Sequence, residues 1–108
     1  MGIPWSETEP KRKELDALEG PTLVEFGSPT CGWCRRAEPL IESALAAHPQ
    51  VRFLKIPDAS GRRLGRSFGV KLWPTLVFMK DGAELARLVR PADAAAIERS
   101  LALIDAPA

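Results

Sequence analysis

The sequence is organised around its only two cysteines, Cys31 and Cys34, which two residues separate. The residues before them, 22–26, form a short apolar run with β-branched and aromatic side chains, which predicts a strand. The residues after them place apolar side chains at helical spacing up to about Ala47, which predicts a helix. The cysteine pair is therefore expected at a strand-to-helix junction, with Cys31 at the helix start.

A cysteine pair in the first turn of a helix suits reversible dithiol–disulfide chemistry. Side chains three residues apart lie on neighbouring faces of a helix, so two sulfurs there can close a disulfide and reopen it. The free backbone N–H groups of that turn and the positive end of the helix dipole stabilise a thiolate. A thiol at such a position is a usable nucleophile near neutral pH.

Two other interpretations of the pair are structural cysteines and a metal site. Buried structural cysteines are disfavoured because Gly32 and Trp33 between them mark an accessible loop–helix boundary. Structural zinc needs four ligands, whereas this chain has one cysteine pair and a single histidine, His48, outside metal-ligand spacing. A zinc or iron–sulfur centre would therefore have to be shared between two chains.

Composition limits the remaining function classes. With 108 residues, 45% of them hydrophobic, the chain is expected to form one domain over 1–108. Residues 1–7 are expected to be loose, with an edge strand at Ile3 to Trp5 as the alternative.

The 15 basic and 14 acidic residues leave a net charge of +1, which gives no electrostatic reason to expect nucleic-acid or membrane binding. No apolar run is long enough to span a bilayer, and no signal-peptide pattern is present at the start. A cytoplasmic location is expected, where a CxxC pair is more often catalytic than structural.

The rest of the chain predicts the order α-β-α-β-α-β-β-α. Thr8 is expected to cap a first helix that begins at Glu9 and ends at Gly20. The cysteine helix contains Pro39 and ends at His48, which is expected to be solvated. Further strands are predicted at 51–56, 75–79 and 84–89, a short basic helix at 61–68, and a last helix from 91 to about 104. These elements predict a small mixed sheet with helices on both faces.

This order, together with several short motifs, resembles the thioredoxin family from about residue 8 onwards. The most specific motifs are Cys31-Gly32-Trp33-Cys34 and, about forty residues later, Trp73-Pro74-Thr75. Further matching landmarks are Pro39, Phe68-Gly69-Val70 and Lys80-Asp81-Gly82. The resemblance implies an α/β thioredoxin-like fold in which the peptide bond before Pro74 is cis and this proline packs beside the active-site disulfide.

The resemblance also implies catalytic roles. Cys31 would attack a substrate disulfide, and Cys34 would resolve the mixed disulfide. Glu25 stands where the family has a buried acid, and Lys55 stands near the family's partner lysine. A buried Glu25 with a raised pKa would accept the proton of Cys34. The alternative is that Glu25 lies on the surface of a half-exposed strand.

Several residues differ from the family pattern, and they indicate a changed recognition surface. Thr30 and Gly27 stand where the family usually has tryptophans, and Trp33 stands in place of proline. Trp73 replaces an aliphatic residue or threonine, and Arg90 replaces a glycine. The two tryptophans are expected to form an apolar rim at the sulfur. The expected substrate-binding residues are Gly32, Trp33, Trp73, Pro74, Thr75 and Arg90.

The resulting hypothesis is a monomeric protein-disulfide oxidoreductase with no bound cofactor. By resemblance, its substrates are disulfide-containing proteins and its electron donor is an NADPH-dependent thioredoxin reductase. The rival hypotheses are a non-catalytic adaptor that uses the thioredoxin fold for binding, and the metal or iron–sulfur site shared between two chains.

Overall fold

The structure is a computed structural model that describes residues 3–106. Within those residues the order of elements is the predicted one. The elements are α1 (Arg12–Asp16), β1 (Pro21–Gly27), α2 (Gly32–Leu45), β2 (Arg52–Pro57), α3 (Arg63–Ser67), β3 (Thr75–Lys80), β4 (Ala83–Val89) and α4 (Ala94–Ile104). No helix in this range is long and apolar enough to cross a membrane.

The sheet has the strand order β2-β1-β3-β4. Strands β1 and β2 are parallel, with Glu25 opposite Lys55, whereas β3 runs antiparallel to both β1 and β4. Between β3 and β4 the chain turns at Asp81 and Gly82, both with positive φ (50° and 84°). Because β1 is a central strand buried over nearly its whole length, the cysteine motif that follows it starts from a rigid base.

Two apolar clusters pack against the two faces of this sheet. One contains Leu23, Ala37, Ile41, Ala44, Val51, Leu76, Phe78, Ile97, Leu101 and Ile104, and therefore joins the sheet to α2 and α4. The other contains Leu15, Val24, Phe26, Ile56, Leu64, Phe68, Val77 and Met79, and joins it to α1 and α3. The mixed sheet with helices on both faces is thus confirmed. Since side chains alternate along a strand, Glu25 and Gly27 lie with Leu23 on the α2 face.

Helix starts were predicted too early at both ends of the chain. Helix α1 begins at Arg12 rather than Glu9, because Lys11 is its N-cap and the backbone N–H of Lys11 donates to Glu14 Oε1 at 2.7 Å. Helix α4 begins at Ala94, three residues after the predicted start, because Asp93 Oδ1 accepts the third N–H of the helix at 2.9 Å. In both cases the residue that satisfies the free N–H groups decides the start.

One alternative, the edge strand, and one expectation, the solvated His48, were wrong. No strand forms at Ile3 to Trp5; instead one backbone bond, from Ser6 N–H to the Lys55 carbonyl (2.8 Å), holds this segment against the edge of β2. His48 is not solvated, because its side chain is only 13% exposed and lies between two carboxylates. Its Nδ1 is 2.6 Å from Asp105 and its Nε2 is 2.7 Å from Glu98, so it joins the end of α2 to α4.

Candidate active site

The two cysteines lie at the junction of β1 and α2. Cys31 is the N-cap of α2, and its Sγ accepts the Cys34 backbone N–H at 3.2 Å. Both cysteines are free thiols; Cys31 is partly exposed, whereas Cys34 is buried. Burial, followed by the hydrogen bond with Cys31, raises the pKa of Cys34 to about 12. Cys31 is thus the sulfur that a substrate can reach, and Cys34 reacts only if a nearby group takes its proton.

Gly27 makes room for the buried cysteine. A Cβ at position 27 would lie 2.5 Å from Cys34 Sγ and 3.2 Å from the ring of Trp5. No real Cβ contact is that short, so even alanine would force Cys34 to move. The departure from the family pattern at Gly27 therefore has a steric reason: Cys34 and Trp5 fill the space that a side chain would occupy.

Glu25 is buried on the same face of β1, two residues before Gly27. Its residue surface is 2% exposed, which excludes the alternative of a surface glutamate on a half-exposed strand. Burial raises the pKa of Glu25 from 4.5 to about 7; the charge of Lys55 opposes this increase, and that of Glu38 adds to it. The carboxyl group therefore changes protonation state near neutral pH, close to a thiol that needs a proton acceptor.

Lys55 is buried beside Glu25 but forms its ion pair with a different carboxylate. Its Nζ donates to Glu38 Oε2 at 3.0 Å and lies 4.7 Å from the centre of the Trp5 ring. Glu38 stands four residues after Cys34 on α2, and its side chain is 45% exposed. The charges of Lys55 and Glu38 therefore both act on the buried Glu25, and they act in opposite directions. An open cavity of about 260 Å³ reaches Lys55 and Glu38; it is lined by Ile3, Trp5, Ser28, Pro29, Cys34, Arg35, Glu38 and Lys55.

The second loop of the site lies where β3 begins. Thr75, its first residue, pairs with Phe26 near the end of β1, which brings the loop to the cysteine junction. The Trp73–Pro74 peptide bond is cis, as the resemblance implied. Thr75 Oγ1 donates to the Leu72 carbonyl at 2.6 Å, which fixes the loop from within. The Trp73 ring is partly buried, and its Nε1 donates to Asp58 Oδ2 at 3.0 Å.

Arg90 links this loop to the cysteine motif. Its backbone is left-handed (φ 50°), a conformation that glycine adopts more readily. Its N–H donates to the Pro74 carbonyl at 3.0 Å, and its Nε donates to the Trp73 carbonyl at 2.8 Å. Its guanidinium carbon lies 4.8 Å from the centre of the Trp33 ring. These contacts bring Trp33, Trp73, Pro74 and Arg90 into one surface.

The expected apolar rim of two tryptophans is corrected by this geometry. Trp33 is 45% exposed, but the guanidinium of Arg36 also lies over it, 4.5 Å from the ring centre. Trp73 turns its indole N–H to Asp58 rather than to the sulfurs. The rim is therefore aromatic and cationic. Its exposed apolar residues include Leu72 and Val89, which the sequence did not indicate.

The sequence and the fold are both similar to those of known proteins. The profile of the family described as Thioredoxin matches residues 7–102. The chain belongs to the thioredoxin family. The Thioredoxin of Chlamydia muridarum (strain MoPn / Nigg) is 39% identical over 70 residues, which cover 65% of this chain and 69% of that protein. Thioredoxin 2 from Pseudomonas aeruginosa PAO1, in its reduced form, is 51% identical with a TM-score of 0.86 over 96% of both chains. The Fasciola hepatica thioredoxin is 26% identical with a TM-score of 0.69, over 85% of this chain and 86% of that one.

As a member of the thioredoxin family with the CxxC pair in place, the protein is a protein-disulfide oxidoreductase. Family membership implies that disulfides in proteins are its substrates. Thioredoxins typically need no cofactor. Between residues 3 and 106, no group of three or more histidine, cysteine, aspartate or glutamate side chains is arranged to hold a metal ion.

Besides Leu72 and Val89, the sequence analysis missed Glu38, Arg36 and Trp5. Glu38 and Arg36 follow Cys34 and Trp33 by four and three residues on α2, so helical spacing alone could have placed each on its neighbour's face. Trp5 had no such signal, because it reaches Lys55 across fifty residues of sequence.

Proposed function

We propose that this protein reduces disulfide bonds in other proteins, with Cys31 as the attacking and Cys34 as the resolving thiol. The observation that carries the proposal is the helix start, where an accessible Cys31 Sγ accepts the N–H of a buried Cys34. The Cys31 thiolate attacks one sulfur of the substrate disulfide; the S–S bond breaks, a substrate thiolate leaves, and a mixed disulfide forms. The Cys34 thiolate then attacks Cys31 Sγ, releases the second substrate thiolate and leaves a Cys31–Cys34 disulfide.

Glu25 is proposed as the proton acceptor for Cys34. With a pKa raised to about 7 it is partly ionised at neutral pH, so it can take the Cys34 proton and pass it on. Lys55 is proposed to act through Glu25, because its charge lowers the pKa of that carboxyl.

The substrate chain is proposed to lie over Gly32, Trp33, Trp73, Pro74, Thr75 and Arg90. Extended peptides often bind by adding backbone hydrogen bonds to an existing strand or loop. The Trp73 carbonyl already accepts from Arg90 Nε, but a carbonyl oxygen has two lone pairs and can accept a substrate N–H as well.

The further parts of the proposal concern the setting. Residues 1–108 are proposed to act as one thioredoxin-like domain and as a monomer in the cytoplasm. Electrons are proposed to come from an NADPH-dependent thioredoxin reductase, which would convert the Cys31–Cys34 disulfide back to the dithiol. No cofactor bound to this chain takes part.

The test is a coupled assay in which a thioredoxin reductase, NADPH and a disulfide-containing protein are mixed with the wild type, Cys31→Ser or Cys34→Ser. We expect NADPH oxidation with the wild type and neither turnover nor adduct with Cys31→Ser. Cys34→Ser should accumulate a mixed disulfide visible by mass spectrometry. Binding of the disulfide protein without any reduction by the wild type would contradict the proposal and support the adaptor hypothesis.

A further inference from the structure

The exposed tryptophan of the CxxC motif lies next to two cations. The guanidinium carbons of Arg36 and Arg90 are 4.5 and 4.8 Å from the centre of the Trp33 ring. None of the ion pairs formed between residues 3 and 106 uses either arginine. Arg90 uses Nε on the Trp73 carbonyl, which leaves the two terminal nitrogens of its guanidinium group for another partner.

Neither of the acidic side chains next to these arginines in sequence forms an ion pair with them. Glu38, two residues after Arg36 on α2, is bound to Lys55. Asp93, three residues after Arg90, accepts the N–H of Ala96 at the start of α4. Arg36 is exposed and Arg90 is partly exposed, so the positive charge beside Trp33 can be reached from solvent.

The other side of the site is basic as well. Beyond Trp73 lies an open depression of about 380 Å³, whose lining includes Arg62, Arg66 and Lys71. Its one acidic lining residue, Asp58, accepts the Trp73 indole N–H. Five of the fifteen basic residues of the chain, Arg36, Arg62, Arg66, Lys71 and Arg90, therefore lie on the two sides of Trp73.

We infer that this site selects protein disulfides flanked by acidic side chains, with Arg36 and Arg90 binding a carboxylate of the substrate beside Trp33. A planar guanidinium group binds a carboxylate through two parallel hydrogen bonds. The Trp33 ring holds both groups near the surface, so less side-chain freedom is lost when a carboxylate binds. Acidic residues on the far side of the substrate disulfide would meet the basic depression beyond Trp73. This inference rests on the proposed reduction by Cys31.

The test uses three peptides that contain the same disulfide, flanked on both sides by two glutamates, two glutamines or two lysines. The rate constant for reduction by the pre-reduced protein is measured at low and high salt for the wild type, Arg36→Glu and Lys13→Glu. Lys13 is the matched control: it is exposed on α1, whose last residue, Asp16, lies against the β3–β4 turn at the opposite end of the sheet. Arg36 is exposed and forms no ion pair with any residue from 3 to 106, so its replacement should leave folding intact, which circular dichroism would verify.

For the wild type we expect the glutamate peptide to react about threefold to tenfold faster than the glutamine peptide, since each partly exposed ion pair strengthens binding up to about fivefold. The lysine peptide should be the slowest, and the differences should shrink at high salt. Arg36→Glu should abolish or reverse the order, whereas Lys13→Glu should keep it. Equal rates for the three peptides, or an order that survives Arg36→Glu, would overturn the inference while the proposed function stands. Failure to reduce any of the peptides would overturn both.

Discussion

Replacing Glu25 by glutamine tests whether a desolvated carboxyl group lies under Cys34. The rise in the pKa of Glu25 from 4.5 to about 7 corresponds to about 3 kcal/mol, at about 1.4 kcal/mol for each pH unit. The sign follows from the direction of the change. A carboxyl group whose pKa is higher in the folded state makes its full contribution to the free energy of unfolding below pH 4.5, where it is protonated in both states. That contribution is lost as the pH rises through about 7, because the folded protein must then hold a buried charge.

Glu25→Gln keeps the size of the side chain and removes the charge. We therefore expect it to raise the free energy of unfolding of the reduced protein by about 3 kcal/mol at pH 8 and to change it little at pH 4. Urea unfolding at several pH values measures this difference. Glu42→Gln is the matched control. Glu42 is exposed to solvent on α2, so its replacement should cause no such pH-dependent change in stability.

The same variant should also slow one chemical step. Cys34, with its pKa raised to about 12, depends on a proton acceptor, whereas attack by Cys31 does not use Glu25. Glu25→Gln should therefore form the mixed disulfide at a near-normal rate and release it roughly 10²-fold or more slowly, the usual contribution of a general base. Rapid quenching with acid, followed by mass spectrometry, separates the two steps. A pH-independent gain in stability would refute the desolvation argument, and an unchanged release rate would leave Glu25 without a role in resolution.

Three other predictions concern neighbouring groups. A limiting amount of iodoacetamide should label Cys31 almost alone, because Cys34 is buried with a raised pKa; peptide mapping that found mainly Cys34 would reverse the proposed roles. Gly27→Ala should destabilise the protein by roughly 1–3 kcal/mol in thermal unfolding, since its Cβ would overlap Cys34 Sγ; an unchanged melting temperature would contradict the close contact. His48→Gln should cost more stability at pH 6 than at pH 9. The hydrogen bond to Asp105 is the largest cause of the raised pKa of His48. The stabilisation that results is complete below 6.5, the pKa of His48 in the unfolded chain, and it is lost as the pH rises through the pKa of the folded state. Equal losses at both pH values would argue against a charged His48.

How far the sequence predicted the site depends on the range of the contacts involved. The strand before Cys31 and the helix after it were predictable, because apolar periodicity and the turn signals between them are local. Burial of Glu25 followed from its position in that apolar strand together with the family resemblance. The pairing of His48 was not predictable, because Asp105 and Glu98 approach it from an element about fifty residues away. Tertiary contacts of this kind override local propensity.

The same distinction explains the partner of Lys55. Strand register alone pairs Lys55 with Glu25, as the resemblance implied. The structure adds α2 above that face, and its Glu38, whose side chain is 45% exposed, offers Lys55 a carboxyl group at 3.0 Å. A buried glutamate with a raised pKa is a poorer ion-pair partner, since it must first lose a proton at a cost that burial imposes.

The departures from the family pattern fall on two sides of Cys31, and we propose that they act on different steps. Behind the cysteines, Gly27 leaves space that Trp5 covers, and Trp5 packs on Lys55, so this side controls the charge near Glu25 and with it the resolving step. In front, Arg90 occupies a left-handed position at a cost of about 1–2 kcal/mol. Its backbone and side-chain hydrogen bonds to the loop at Pro74 offset that cost and hold its charge over Trp33. Asp58 joins the two sides, because its N–H donates to the Gly27 carbonyl and its Oδ2 accepts the Trp73 indole N–H. Among residues 3–106, neither Trp33 nor Arg90 forms a hydrogen bond with Gly27, Trp5 or Lys55, so substitutions at Trp33 or Arg90 should change the choice of substrate with little effect on the release of the mixed disulfide, whereas substitutions at Trp73 should affect both.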